Sequence, residues 1–169
     1  MAQVGYTNLF SEPRNEVVSL LTSSNVPDPV ISSSEFRKWI YSRIPDIKSN
    51  NFQGYPFLIV SPTDVDFETG ETSGDGKHKF VNFNIDIEIR ASDRGYDGKS
   101  GNGLIHIDTI SNNLIKTFSN IINRNSLANN SLELINSETS NVETLNDKNE
   151  LIYRRVITIS FRSRLAISQ

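Results

Sequence analysis

Asp93-Arg94-Gly95-Tyr96-Asp97-Gly98-Lys99-Ser100 matches the phosphate-binding pattern G-x-x-x-x-G-K-S/T except that Asp stands in place of the first glycine. A loop of that kind holds phosphate by turning backbone amides onto it at a helix N-terminus. Asp93 and Asp97 put negative charge nearby, and Gly101-Asn102-Gly103 postpones the helix beyond Lys99. The strand ahead of the loop alternates apolar and polar residues, whereas the strand before a true phosphate loop is buried on both faces. A flexible strand-to-helix turn accounts for the segment better, and nucleotide-dependent chemistry at Gly98, Lys99 and Ser100 is the lesser alternative.

Other candidates meet plainer explanations. Asp64, Asp66 and Glu68 alternate like the opening of a calcium loop, but Thr69 and Asp75 stand where such a loop needs Gly and Glu. An acidic solvated loop is expected instead. Asp86 and Glu88 share a strand face about 7 Å apart by strand rise, the separation of a carboxylate pair in sugar hydrolysis. Adjacent polar residues on one wet face explain them more simply. His78 and His106 have no nucleophile arrangement and no second histidine at metal spacing. Cysteine is absent, which excludes thiol nucleophiles, disulfide scaffolds and thiolate metal sites. We expect no enzymatic activity and no cofactor.

The elements that would carry these residues read as follows. Ser11, Glu12 and Pro13 open a helix with an apolar face of Val17, Val18, Leu20 and Leu21, ending near Ser23–Asn25. A second helix is expected from Ser33 or Ser34, with Phe36, Trp39, Ile40 and Ile44 at helical spacing and Pro45 as its stop. Tyr55 to Ser61 is a short apolar strand. Asp64 to Lys79 is acidic and rich in Gly and Thr, and is expected to be a mobile loop, at about 64–79, between strands.

Phe80 to Arg90 carries the clearest pattern. Val81, Phe83, Ile85, Ile87 and Ile89 alternate with Asn82, Asn84, Asp86, Glu88 and Arg90, so one face is core and the other wet. One long helix is expected over Gly103 to Arg124, with Leu104, Ile107, Leu114, Ile115, Phe118, Ile121 and Ile122 at three-four spacing. Ser131 to Ile135 and Val142 to Leu145 are weaker strands. Leu151 to Leu165 closes the sheet, with Tyr153, Ile157, Ile159 and Phe161 on one face and Arg154, Thr158, Ser160 and Arg162 on the other. The expected fold is α+β: a largely antiparallel β-sheet packed by one long helix, with two N-terminal helices, in a single domain over 1–169.

Composition narrows the function classes. A length of 169 residues suits one domain, and a net charge of -3 gives no basic footprint for stable DNA or RNA binding. Residues 1–10 lack a basic region followed by an apolar stretch, and no run is long enough to span a bilayer. A cytosolic protein, or one that leaves inside a larger particle, is expected. Arg154, Arg155, Arg162 and Arg164 concentrate on the last strand, beside the acidic face of Phe80–Arg90. They serve either cross-strand pairing in one sheet or pairing between copies in a closed ring. Trp39 serves either the core or an interface between subunits.

The order of elements, from the N-terminal helices through YPFLIVSP, the acidic loop and FVNFNIDIEIR to the long helix and RRVITISFRSR, resembles the tail-terminator (tail-completion, or neck) proteins of siphophages over about Phe10 to Leu165. That resemblance implies a homohexameric ring on the last tail-tube ring, a further face for head-completion or connector proteins, and a place in the neck of the virion after assembly in the host cytoplasm. DNA would only pass through the channel, and no membrane would be involved. Under the resemblance Asp64, Asp66, Glu68, Asp75, Lys77 and His78 form a candidate tube-contacting or channel-proximal loop. Asp86, Glu88 and Arg90, with Arg154, Arg162 and Arg164, form a candidate channel or intersubunit polar face, and Trp39 is a candidate interface aromatic. The alternatives are another head–tail connector or a tail-tube subunit, a small nucleotide-binding enzyme, and an unrelated binding module of the host.

Overall fold

The structure is a computed structural model that describes residues 11–31, 37–72, 78–94, 102–129, 132–147 and 150–166. Helix α1 (Ser11–Leu20) runs into a π-helical turn (Leu21–Asn25) and buries Val17, Leu20 and Leu21, as its spacing implies. Strand β1 (Ile40–Tyr41) pairs parallel with the start of β2 (Phe57–Thr72), which pairs antiparallel with β3 (His78–Ser92). Two helices follow, α2 (Gly103–Ser119) and α3 (Ile121–Asn129). The chain ends in β4 (Glu133–Thr139), β5 (Glu143–Asp147) and β6 (Glu150–Ala166). Among the described residues these strands form one mixed, six-stranded sheet in the order β1-β2-β3-β6-β4, with β5 also on β6. The fold is α+β.

The sheet buries the face that alternation assigns to the core. Val81, Phe83, Ile85, Ile87, Ile89 and Ala91 of β3 join Ile157, Ile159 and Phe161 of β6 and Leu58 and Val60 of β2. All three helices pack on this face, through Leu20, through Ile107, Ile110, Leu114 and Phe118, and through Leu127. Each fully buried aliphatic side chain of this kind contributes about 1.5–3 kcal/mol. Register is therefore strongly determined, because a one-residue slip would turn these six apolar residues of β3 to solvent.

Three expectations need correction. No second N-terminal helix forms over the described part of its span: residues 37–39 are irregular, Ile40 and Tyr41 join the sheet, and 32–36 lie outside the described residues. The cause is Arg37, whose guanidinium pairs with Asp28 and donates to the carbonyls of Gln53, Gly54 and Pro56. That clamp draws the segment against the loop before β2, where the Leu58 amide bonds the Trp39 carbonyl at 2.7 Å.

The expected single helix over Gly103–Arg124 is two helices. Asn120 takes extended backbone angles (φ -70, ψ 124), and its side chain accepts from the Ile122 amide at 2.8 Å, starting a new helix. The break turns Ile121 and Ile122 out to solvent and brings Leu127 into the core instead. Strand β2 also runs on through most of the acidic stretch expected to be a loop. Asp64, Val65, Asp66 and Phe67 pair with Asn84, Phe83, Asn82 and Val81, and His78 and Lys79 already belong to β3. Val65 and Phe67 lie between acidic neighbours, so the segment has the period of a strand beneath the composition of a loop.

Candidate functional site

The face of the sheet away from the helices is built from facing rows across β2, β3 and β6. One row joins Phe57, Arg90, Arg154 and Glu143, a second Ser61, Asp86 and Thr158, a third Asp64, Asn84 and Ser160, and a fourth Asp66, Asn82 and Arg162. The acidic and basic residues that lie apart in the sequence thus meet within one subunit. Glu88 pairs with Arg90 on its own strand and with Arg154 of β6 at 3.1 Å, and Arg154 reaches on to Glu143 at 2.8 Å. Asp86 accepts from the Thr158 hydroxyl at 2.6 Å, and the Ser160 hydroxyl donates to Asn84 at 2.8 Å.

This network sets the charges. Burial alone would raise the Glu88 carboxyl, but the hydrogen bonds from Arg154 and Arg90 and their positive charge hold it below its ordinary value. The hydrogen bonds that Arg154 donates to Glu88 and Glu143 raise it above its own ordinary value. Glu88 is therefore an ionised carboxylate whose charge is compensated inside the subunit. Asp86 makes no ion pair among the described residues, and Asp64 and Asp66 are exposed on the same face. The Arg162 guanidinium stacks over the Phe80 ring at 3.9 Å.

The remaining sequence candidates divide. Glu68 and Arg164 lie in β2 and β6 and His78 opens β3, while Asp75 and Lys77 fall outside the described residues. Trp39 is 8% exposed and belongs to the main core of its own subunit, so it is not an exposed interface aromatic. His106 sits near the Asp28–Arg37 pair. Desolvation lowers it from its ordinary value, with Asp28 opposing and Arg37 adding to the effect.

At the phosphate-loop look-alike, Gly98, Lys99 and Ser100 also fall outside the described residues. The helix it precedes starts only at Gly103, whose amide donates to the Asp93 carboxylate at 2.9 Å. Asn102 accepts from the Ile105 amide, and the Tyr153 hydroxyl donates to Asp93 at 2.9 Å, which raises the tyrosine. Two amides at the start of α2, those of Gly103 and Ile105, are thus already bonded to the chain's own side chains.

Sequence reasoning missed where apolar residues remain exposed. Ile44 and Ile47 follow β1; Leu104, Ile105, Ile115, Ile121 and Ile122 lie on α2 and α3; Ile135, Leu145 and Leu151 lie on β4, β5 and β6. Only the α2 and α3 group had a sequence signal, in that more apolar residues stand on those helices than one face can bury. A second, smaller cluster of Tyr55, Phe57, Ile59 and Ile152, with Tyr41 and Phe52 against it, closes the β1 end of the polar face. No family model matches the chain, and no curated protein sequence does.

Proposed function

We propose that this chain is a structural assembly protein: one subunit of a ring that closes the head-proximal end of a long phage tail, stops addition of tube protein and offers a surface for joining the head. The observation that carries this reading is the placement of exposed large hydrophobics in three separate regions: after β1, along α2 and α3, and on the β4–β5 side. Single exposed apolar residues are ordinary, but groups of them on distinct sides mark surfaces that other proteins cover. A ring subunit capping a tube needs several such sides: two for its neighbours and others for tube and head.

The polar face suits a channel wall. Asp64, Asp66 and Asp86 present carboxylates there, and DNA is retained by cationic contacts to phosphate, so an acidic lining lets it slide past. Glu88 serves as the brace that holds Arg90 and Arg154 in place, not as a bare negative charge.

End-on electron microscopy of the purified protein, with light scattering for mass, tests the proposal. A closed ring, six subunits by the resemblance, is expected, and tails made without this protein should be overlong and headless. Tails of normal length that fail only to join heads would point to a neighbouring connector. A protein that stays monomeric with and without tail-tube protein would remove the ring.

A further inference from the structure

We infer that neighbouring copies join through opposite edges of the sheet, the basic loop after β1 of one subunit meeting the acidic β4–β5 edge of the next. The inference rests on the ring reading and names the surfaces by which the ring would close. Sheet order places β1 at one end and β4 at the other, with β5 flanking β6 beside it. Past β1 the chain exposes Arg43 and Lys48, with Lys38 just before it lying over the Tyr41 ring, and Ile44 and Ile47 stand among them. Asp46 is the one acidic residue from Lys38 to Gly54.

The opposite edge has the reverse character. Glu133, Glu138 and Glu143 are exposed there, no Lys or Arg occurs from Glu133 to Asp147, and Ile135, Leu145 and Leu151 are the exposed apolar residues. Among the described residues Arg43, Lys48, Glu133 and Glu138 have no ion-pair partner within the subunit. Each edge thus sets exposed apolar residues within a surplus of one sign of charge, basic after β1 and acidic at β4–β5, and the two are complementary. A self-matching, two-fold contact would set like charge against like, whereas head-to-tail contact sets acid against base and repeats around a ring.

The contact is one of side chains rather than an added strand. Leu134 faces Phe161 and Asn136 faces Ser160, so Ile135 is the extra residue of a bulge in β4. A bulge at an edge interrupts the ladder that another strand would need and turns its side chain outward.

Charge reversal tests this on the full chain. Arg43→Glu with Lys48→Glu should abolish the oligomer seen by light scattering, and so should Glu133→Lys with Glu138→Lys, each with the far-UV circular dichroism of the wild type. Mixing the two variants should restore wild-type mass, because each then offers the edge that the other lacks. Neutral Arg43→Gln with Lys48→Gln should weaken assembly without the repulsion, so its loss is smaller. Variants that keep wild-type mass, or a mixture that stays monomeric, overturn the edge pairing and leave the ring intact. A wild-type chain that is itself monomeric removes the ring, and the edge contact with it.

Discussion

Asp28 and Arg37 form an ion pair sealed from solvent, their side chains 4% and 1% exposed. Arg37 also donates to three carbonyls of the loop before β2, so a single guanidinium joins the turn after α1 to the start of the sheet. A buried charge whose partner is removed is far costlier than the pair is favourable. Arg37→Ala is therefore expected to lower stability by about 3–5 kcal/mol. Asp28→Ala should do the same, and the double substitution should cost less than their sum. Urea unfolding followed by circular dichroism measures all three.

Gly103 stands where α2 starts, and a Cβ there would come within 2.7 Å of Tyr153 Cε2. Gly103→Ala should destabilise by about 1–3 kcal/mol through overpacking. Tyr153→Ala should abolish most of that penalty, and thermal melts of the two single variants and the double variant would show the non-additivity.

The Glu88 carboxyl is depressed in the folded state from an ordinary 4.5. A depressed carboxylate stabilises the fold above its unfolded value, and that contribution is lost as pH falls through the folded value. Glu88→Gln is expected to cost roughly 1–3 kcal/mol at neutral pH and close to nothing once the wild-type carboxyl is protonated. Urea midpoints at a series of pH values provide the comparison.

His106 is lowered in the folded state from an ordinary 6.5, so the unfolded chain takes up its proton first on acidification. Stability from the neutral imidazole is complete above 6.5 and is lost as pH falls from there through the folded value. Asp28 and Arg37 are the charged groups acting on it, in opposite directions. His106→Gln should flatten the thermal midpoint against pH in that window. An unchanged slope would show that the imidazole does not titrate there.

Nucleotide should leave the thermal midpoint where it is. A ligand that binds the folded state must raise the midpoint by mass action, but the Gly103 amide already bonds Asp93. A rise with ATP or GTP and magnesium would reopen phosphate binding at Gly98, Lys99 and Ser100.

Sequence alternation was enough to place β3 and β6 and to say which face of each is core, because five buried residues in strict period leave one solution. It also identified the polar partners of that face and offered cross-strand pairing within one sheet as one of two readings, the one that Glu88 and Arg154 follow. Around Trp39 the same method failed. Phe36, Trp39, Ile40 and Ile44 have helical spacing, and the force that overrides it comes from contacts of Arg37 with residues up to 19 positions away. The break at Asn120 was hidden for a related reason: Ile121 and Ile122 continue the apolar period but end up in solvent. In the acidic stretch composition masked periodicity, since Asp64, Asp66 and Glu68 drew attention away from Val65 and Phe67.

Strand β6 lies between β3 and the pair β4 and β5, all of which precede it in the chain. Asp86 must wait for Thr158, 72 residues later, before its hydroxyl partner exists. As the polypeptide emerges from the ribosome, β3 has one bare flank, and β4 and β5 have no neighbour to hydrogen-bond until β6 is made. Sheet closure is thus a late, non-local and slow event. Nascent copies crowded on one message would expose unpaired flanks to one another during that interval.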